Sequence, residues 1–144
     1  MNPITRKASV HWIGGPRGGT RVVTTESGVL KNAKFSSKIP VKKDARTGPA
    51  ELIAAAHATS FSLALSNELK LPPSSVGSIV TSATVTQEQS ATGWMIKSIH
   101  LNVVAKIPKV TQGTFIDTAL RAKTNCMVSK LLRANISMNA KLEK

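Results

Sequence analysis

A long apolar segment in the middle of the chain constrains the fold more than any other feature. It reads GPAELIAAAHATSFSLALSNEL over residues 48–69. Gly48 fits the N-cap of a helix, Pro49 fits the first helical position, and the two prolines at 72–73 end any helix that reaches them. The apolar residues surround the helix axis instead of forming one stripe, which is typical of a buried helix. The segment therefore predicts a central helix from about residue 49 to about residue 70.

The segments on either side of this helix predict strands and two shorter helices. Before it, short β-branched runs are separated by turn residues such as GGPRGG. After it, apolar and polar residues alternate on both sides of a short turn, which predicts an antiparallel hairpin. This order predicts an α+β fold with antiparallel sheet packed on helices. In chain order, the predicted elements flanking the long helix are a β meander before residue 46, strands over 78–89 and 94–107, helices over 111–125 and 127–133, and a strand over 136–142.

The composition predicts one globular domain, over residues 1–144, that needs neither disulfides nor structural metal ions. A chain of this length can bury a sufficient hydrophobic core by itself. The single cysteine, Cys126, excludes an intramolecular disulfide, and the three histidines lack metal-ligand spacing. We therefore expect no cofactor and no metal. No apolar run is long enough to span a membrane and no secretory signal is apparent, so we expect a cytoplasmic protein.

The chain carries a large positive charge, with 20 Lys and Arg against 7 Asp and Glu and a net charge of +13. Such a field attracts anions, including nucleic acids. The basic residues are nevertheless spread along the chain, and the absence of tyrosine leaves few rings to stack on bases. We therefore expect a solvated basic surface and not dedicated nucleic-acid binding.

Several local motifs occur together and in a fixed order. They are Trp12-Ile13-Gly14, TESGVL from Thr25, the long helix segment, LPPSSV after it, and AKTNCMVSKLL from Ala122. On these motifs the sequence resembles the OsmC/Ohr family of osmotically induced and organic hydroperoxide resistance proteins, and the OsmC branch in particular. The resemblance implies an intertwined homodimer, in which antiparallel sheets wrap around two long central helices. It also implies defence against oxidative stress by reduction of organic hydroperoxides, with a pair of cysteines at the subunit interface.

The residues that carry this chemistry in the family are only partly present. The attacking cysteine of the family falls on Ser60, whereas its resolving cysteine falls on Cys126. The family lowers the pKa of the attacking thiol with a glutamate and an arginine. The first of two successive glutamates is replaced by Ala50 and the second is kept as Glu51. An ungapped alignment places the arginine at a glycine, with Arg17 beside it as the candidate for that role.

Two classes of function follow from these replacements. A serine hydroxyl ionises far above a thiol and does not accept a peroxide oxygen, so we expect weakened or lost peroxidase activity, as in a pseudoenzyme. One alternative is a non-catalytic relative that binds a small apolar or anionic molecule, such as an organic hydroperoxide, in the interfacial cavity. The other is a one-cysteine thiol peroxidase that acts through Cys126. A serine nucleophile formed by Ser60 and His57 is disfavoured, because adjacent turns of one helix rarely give nucleophile-to-base geometry.

Overall fold

The computed structural model describes residues 3–14, 19–36, 45–72, 74–75 and 77–143. It divides into two units, Met1–Pro49 and Ala50–Lys144, which are described separately below. The helices of the described residues and the strands between them follow the predicted order. In chain order they are β1 (Ala8–Ile13), β2 (Thr20–Thr25), β3 (Ala33–Lys34), α1 (Pro49–Leu69), β4 (Ser78–Ser90), β5 (Gly93–Lys106), α2 (Gln112–Asn125), α3 (Met127–Leu131) and β6 (Asn135–Glu143).

The first unit contains an antiparallel sheet in the order β1-β2-β3, which confirms the predicted meander. The Trp12 ring meets the Phe35 ring edge-on at 5.9 Å between centroids, and the Arg21 guanidinium lies 4.4 Å from the centroid of the Trp12 ring. Gly28 has a φ of 77°, a conformation that glycine adopts without strain, in the turn after β2. Part of the GGPRGG turn, with Arg17, lies outside the described residues.

The second unit contains a sheet in the order β4-β5-β6, which corrects one prediction. The hairpin of β4 and β5 is antiparallel, as predicted. The last strand, β6, instead pairs with β5 in parallel, so the sheet is mixed. Two parallel strands need a crossover connection, and here α2 and α3 supply it between β5 and β6.

The core of the second unit lies between this sheet and the two longer helices. Alternate residues of β5 point into it, as expected for a strand with one buried face. The single cysteine belongs to the same cluster, so the thiol lies in an apolar environment. The buried residues of the cluster are Phe61, Leu65, Leu101, Val103, Ala105, Ile107, Phe115, Ala119, Ala122 and Cys126.

One side of α1 is buried within the chain and the other is not. The buried residues of this helix are His57, Ser60, Phe61 and Leu65, whereas Leu63 remains 60% exposed. The predicted burial on all sides is therefore not reached within one chain. The reason is that apolar residues surround the axis, while the sheet and helices of one chain cover only one side. No helix of the described ranges combines the length and apolarity needed to cross a membrane.

Candidate thiol site

The helix α1 presents His57 and Ser60 on its buried side. The two residues lie three positions apart, so their side chains emerge on the same face of the helix. His57 is fully buried and Ser60 is 7% exposed. Polar groups at such positions need partners: His57 finds one on α3, and Ser60 finds one at the junction between α2 and α3.

Cys126 stands at the junction between α2 and α3. Its backbone N–H still donates to the Ala122 carbonyl at 2.8 Å, and its carbonyl accepts from the Lys130 N–H at 3.0 Å. Between these bonds its ψ of 126° breaks the helical conformation, so Cys126 ends α2 and begins α3. Cys126 at this bend is only 1% exposed.

The thiol of Cys126 lies against the hydroxyl of Ser60, with 3.1 Å between Sγ and Oγ. Burial raises the pKa of the thiol. The Ser60 hydroxyl and the polar groups of Val128 and Ser129 in the first turn of α3 favour the thiolate and outweigh that effect, so the pKa of the thiol lies below its ordinary value. The thiol is therefore more acidic than an ordinary cysteine although it belongs to the hydrophobic core.

A second pair of polar groups adjoins this contact. Nε2 of His57 lies 2.8 Å from Oγ of Ser129, while Nδ1 of His57 is buried without a hydrogen-bond partner among the described residues. Burial lowers the pKa of His57, so the imidazole is neutral near pH 7. His57 and Ser129 thus form one hydrogen-bonded pair and Cys126 and Ser60 form another, and we call these four residues the thiol network.

The structure brings together some of the residues predicted for the site and not others. It joins Ser60 to Cys126, but His57 bonds to Ser129 and not to Ser60, which removes the basis for a serine nucleophile. Glu51 is exposed in the first turn of α1 and forms no described bond to the thiol network. Arg17 lies outside the described residues, so the prediction of its role stays a prediction.

Sequence reasoning missed the contribution of Ser129. Its hydroxyl bonds the imidazole of His57, although the two residues lie 72 positions apart in the chain. The available signal was its place three residues after Cys126, within the first turn of a predicted helix. Among the described residues, no group of three or more His, Cys, Asp or Glu side chains could hold a metal.

The structure is that of an α+β protein with one buried thiol beside a serine hydroxyl, and comparisons with known proteins identify the family. The model of the OsmC-like protein family matches residues 42–141, and the chain belongs to this family. It is similar to peroxiredoxin OsmC of Escherichia coli K12, with 35% identity over 140 residues that cover 97% of this chain and 98% of the relative. Peroxiredoxin OsmC of Shigella flexneri matches equally well.

Solved structures agree on the fold. The crystal structure of an organic hydroperoxide resistance protein OsmC from Legionella pneumophila has a TM-score of 0.66 at 20% identity and covers 100% of both chains. That of the organic hydroperoxide resistance protein OhrB of Bacillus subtilis has a TM-score of 0.62 at 22% identity, covering 97% of this chain and 98% of the other. At these identities the likeness establishes the α+β fold shared by OsmC and Ohr proteins.

Proposed function

We propose that this chain is an OsmC/Ohr-family protein whose organic hydroperoxide reductase activity is weakened or lost. The observation that carries the proposal is the contact of 3.1 Å between Sγ of Cys126 and Oγ of Ser60. A hydroxyl stands where a dithiol cycle needs a second sulfur. Cys126 is the only cysteine in the chain, so no other residue can supply that sulfur.

The chemistry of a dithiol peroxidase explains why the hydroxyl fails. A thiolate attacks one peroxide oxygen, an S–O bond forms as the O–O bond breaks, and an alcohol leaves. The sulfenic acid then condenses with a second thiol, which forms a disulfide and releases water. The Ser60 hydroxyl can perform neither the attack nor the condensation, because it is not ionised near neutral pH and forms no disulfide. Turnover in this chain would require Cys126 to attack the peroxide and two equivalents of an external thiol to reduce its sulfenic acid through a mixed disulfide.

The second candidate is a one-cysteine thiol peroxidase that acts through Cys126. The lowered pKa of the thiol favours this candidate, because the thiolate is the nucleophile. The burial of Cys126, which is 1% exposed, opposes it, since a hydroperoxide must reach the sulfur. We rank it below loss of activity for this reason.

A role in binding small molecules without catalysis has less support. One described pocket, of about 380 Å³, is lined by Leu71, Pro72, Ser74, Ser75, Pro108, Lys109 and Val110. It lies beside the loops that follow α1 and β5, and none of its lining residues belongs to the thiol network. This pocket therefore does not supply the cavity beside Cys126 that such a role would use.

Restoring the missing sulfur tests the proposal. Cumene hydroperoxide consumption is followed with dihydrolipoamide or dithiothreitol for the parent chain, Ser60→Cys, Ser60→Cys with Cys126→Ala, and Cys126→Ala. We expect Ser60→Cys to exceed the parent by about tenfold or more, which is a barrier lower by about 1.4 kcal/mol. The variant that combines Ser60→Cys with Cys126→Ala tests whether this gain in activity needs both sulfurs. If Ser60→Cys alone raises the activity only slightly, Ala50→Glu is added to it, because this substitution restores the glutamate that the family has at that position.

Two outcomes of this experiment would contradict the proposal. Robust turnover by the parent that disappears in Cys126→Ala would support the one-cysteine peroxidase instead. A parent as active as Ser60→Cys, with no dependence on Cys126, would remove the thiol from the chemistry altogether. Intact-mass analysis after hydroperoxide treatment distinguishes these cases, because it reports whether Cys126 gains oxygen.

We also propose that the chain forms a homodimer, with the exposed side of α1 in the interface. Leu63 is 60% exposed on a helix whose opposite side forms the core, and Ala55 and Ala56 are exposed on the same helix. A soluble monomer rarely leaves a helix this apolar uncovered. Light scattering at micromolar concentration should give twice the mass of the chain, and Leu63→Glu should shift the mass toward one chain. A monomeric parent would contradict the proposal.

A further inference from the structure

The second unit contains a pocket that the thiol chemistry does not use. It lies between the loop that follows α1, residues 70–77, and the loop that follows β5, residues 107–111, and we call it the loop pocket. Its volume of about 380 Å³ is near the lower end of the range for small-molecule sites. The loop pocket therefore has room for a small organic ligand.

The walls of the loop pocket are held in place by the backbone. Pro72 and Pro108 line it, and each proline ring fixes its own φ. The N–H of Ser75 donates to the Pro72 carbonyl at 2.9 Å, which closes a turn in the first loop. Gly77 approaches the second loop so closely that a Cβ on it would lie 3.1 Å from the Ile107 side chain. The pocket is therefore largely preformed, which lowers the cost of binding.

The lining of the loop pocket combines apolar side chains with a few polar ones. Leu71 and Val110 pack against the hydrophobic core of the second unit on one side and line the pocket on the other. Ser74, Ser75 and Lys109 also line it. The side chains of these three residues form no hydrogen bond or ion pair with any other described residue, so they are available to a ligand. An apolar lining with a few polar groups is typical of small-molecule sites.

The charge around the loop pocket has one sign. The two loops contain Lys70 and Lys109 and no Asp or Glu. The helix α2 begins directly after the second loop, with Thr111 as its N-cap, so the positive end of its dipole adds to this charge. An anionic group is therefore favoured over a neutral or cationic one. Because Lys109 is the one cation among the described lining residues, the lining matches a ligand with a single negative charge.

We propose that the loop pocket binds a small organic carboxylate. The apolar chain of the ligand lies against Leu71 and Val110, and its carboxylate lies beside Lys109 and the two serine hydroxyls. Apolar contact supplies most of the affinity, whereas the charge selects the head group. The binding is reversible and involves no covalent step. It is independent of the proposed function, because none of the lining residues belongs to the thiol network.

Octanoate is a suitable probe, because it joins a short apolar chain to one carboxylate. Amide chemical shifts of the isotope-labelled chain report where it binds, at about 0.15 M salt, which screens distant charges. We expect saturable shifts in both loops, with a Kd of about 1 mM or tighter, and none at Cys126. Octanol, which lacks the charge, should bind about threefold to fivefold more weakly, and octylamine, which has the opposite charge, more weakly still.

Substitutions separate the two halves of the loop pocket. Lys109→Met removes the charge and keeps an apolar stem, so it should weaken octanoate binding about threefold to fivefold and leave octanol binding unchanged. Lys106→Met is the matched control, because Lys106 lies at the end of β5 and does not line the pocket, and it should change neither affinity. Val110→Thr replaces a methyl group by a hydroxyl and should weaken both ligands alike, by about threefold.

The inference is overturned if octanoate does not saturate the chain by about 10 mM, if octanol or octylamine binds as tightly, or if Lys106→Met acts as strongly as Lys109→Met. Shifts centred on Cys126 would also overturn it, because they would place the ligand beside the thiol. Circular dichroism checks each fold, and the comparison of the three ligands needs only the parent chain. Cys126→Ala should bind octanoate like the parent, so this test is separate from that of the peroxidase activity.

Discussion

A disulfide between positions 60 and 126 should form readily and stabilise the chain strongly. Ser60→Cys places a second sulfur at a site where Oγ already lies 3.1 Å from Sγ of Cys126. A disulfide bond is about 2.05 Å long, so the two atoms must approach by about 1 Å. The C–S bond of cysteine is longer than the C–O bond of serine, which supplies part of this approach, and small side-chain rotations can supply the rest.

The stabilisation follows from the length of chain that the bond closes. The two positions lie 66 residues apart, and a crosslink over such a loop removes conformational entropy from the unfolded chain worth about 4 kcal/mol. With a denaturant dependence of about 4 kcal/mol per molar guanidinium, the unfolding midpoint should rise by about 1 M on oxidation. Native-state strain would reduce this value but would not change its sign.

Denaturation of oxidised and reduced samples at one protein concentration measures this difference. The parent chain should show no dependence on reductant, and neither should Ser60→Cys combined with Cys126→Ala, which has a single thiol. The reasoning fails if Ser60→Cys keeps two free thiols after hydroperoxide treatment. It also fails if only bonds between chains appear on a non-reducing gel, because the two side chains would then not face each other as described.

Further predictions concern the core, a helix terminus and acid stability, all measured by chemical unfolding. Phe115→Ala should lower the free energy of unfolding by about 3–5 kcal/mol, because the ring is fully buried. Leu120→Ala on the same helix should lower it by less than half as much, because Leu120 is half-exposed. Thr111→Ala should lower it by about 1 kcal/mol, because the hydroxyl accepts from the Thr114 N–H and caps α2. Burial lowers the pKa of His57, so the unfolded chain binds a proton more readily, and stability should fall as pH decreases below about 6.5. His57→Gln should flatten that decline between about pH 7 and pH 5, and an unchanged slope would contradict it.

The local elements of this protein could be predicted from the chain alone. The predicted helix from about residue 49 to about residue 70 agrees with α1 at Pro49–Leu69. The hairpin and the last strand also lie where alternation predicts them, because one face of each strand must be apolar to pack on the core. These features depend on neighbours along the sequence, and their physical causes are visible in it.

The direction of β6 and the partner of His57 depended on tertiary structure. Alternation identifies a strand but carries no information on whether its neighbour runs parallel, and the crossover through α2 and α3 decides that. Likewise, helical spacing pairs His57 with Ser60, whereas the fold brings Ser129 to its ring from 72 positions away. Side-chain contacts across such distances arise from packing, and packing is set by the whole core.

The sequence by itself determined that the chain has one sulfur, and that a hydroxyl replaces the other member of the family's pair. Only the tertiary structure decided what surrounds that sulfur. The junction between α2 and α3 brings the thiol of Cys126 against Ser60 within the hydrophobic core, and the polar groups near it outweigh burial and lower its pKa. The composition fixes the number of reactive sulfur atoms, whereas the ionisation of a thiol depends on the polar groups that folding places around it.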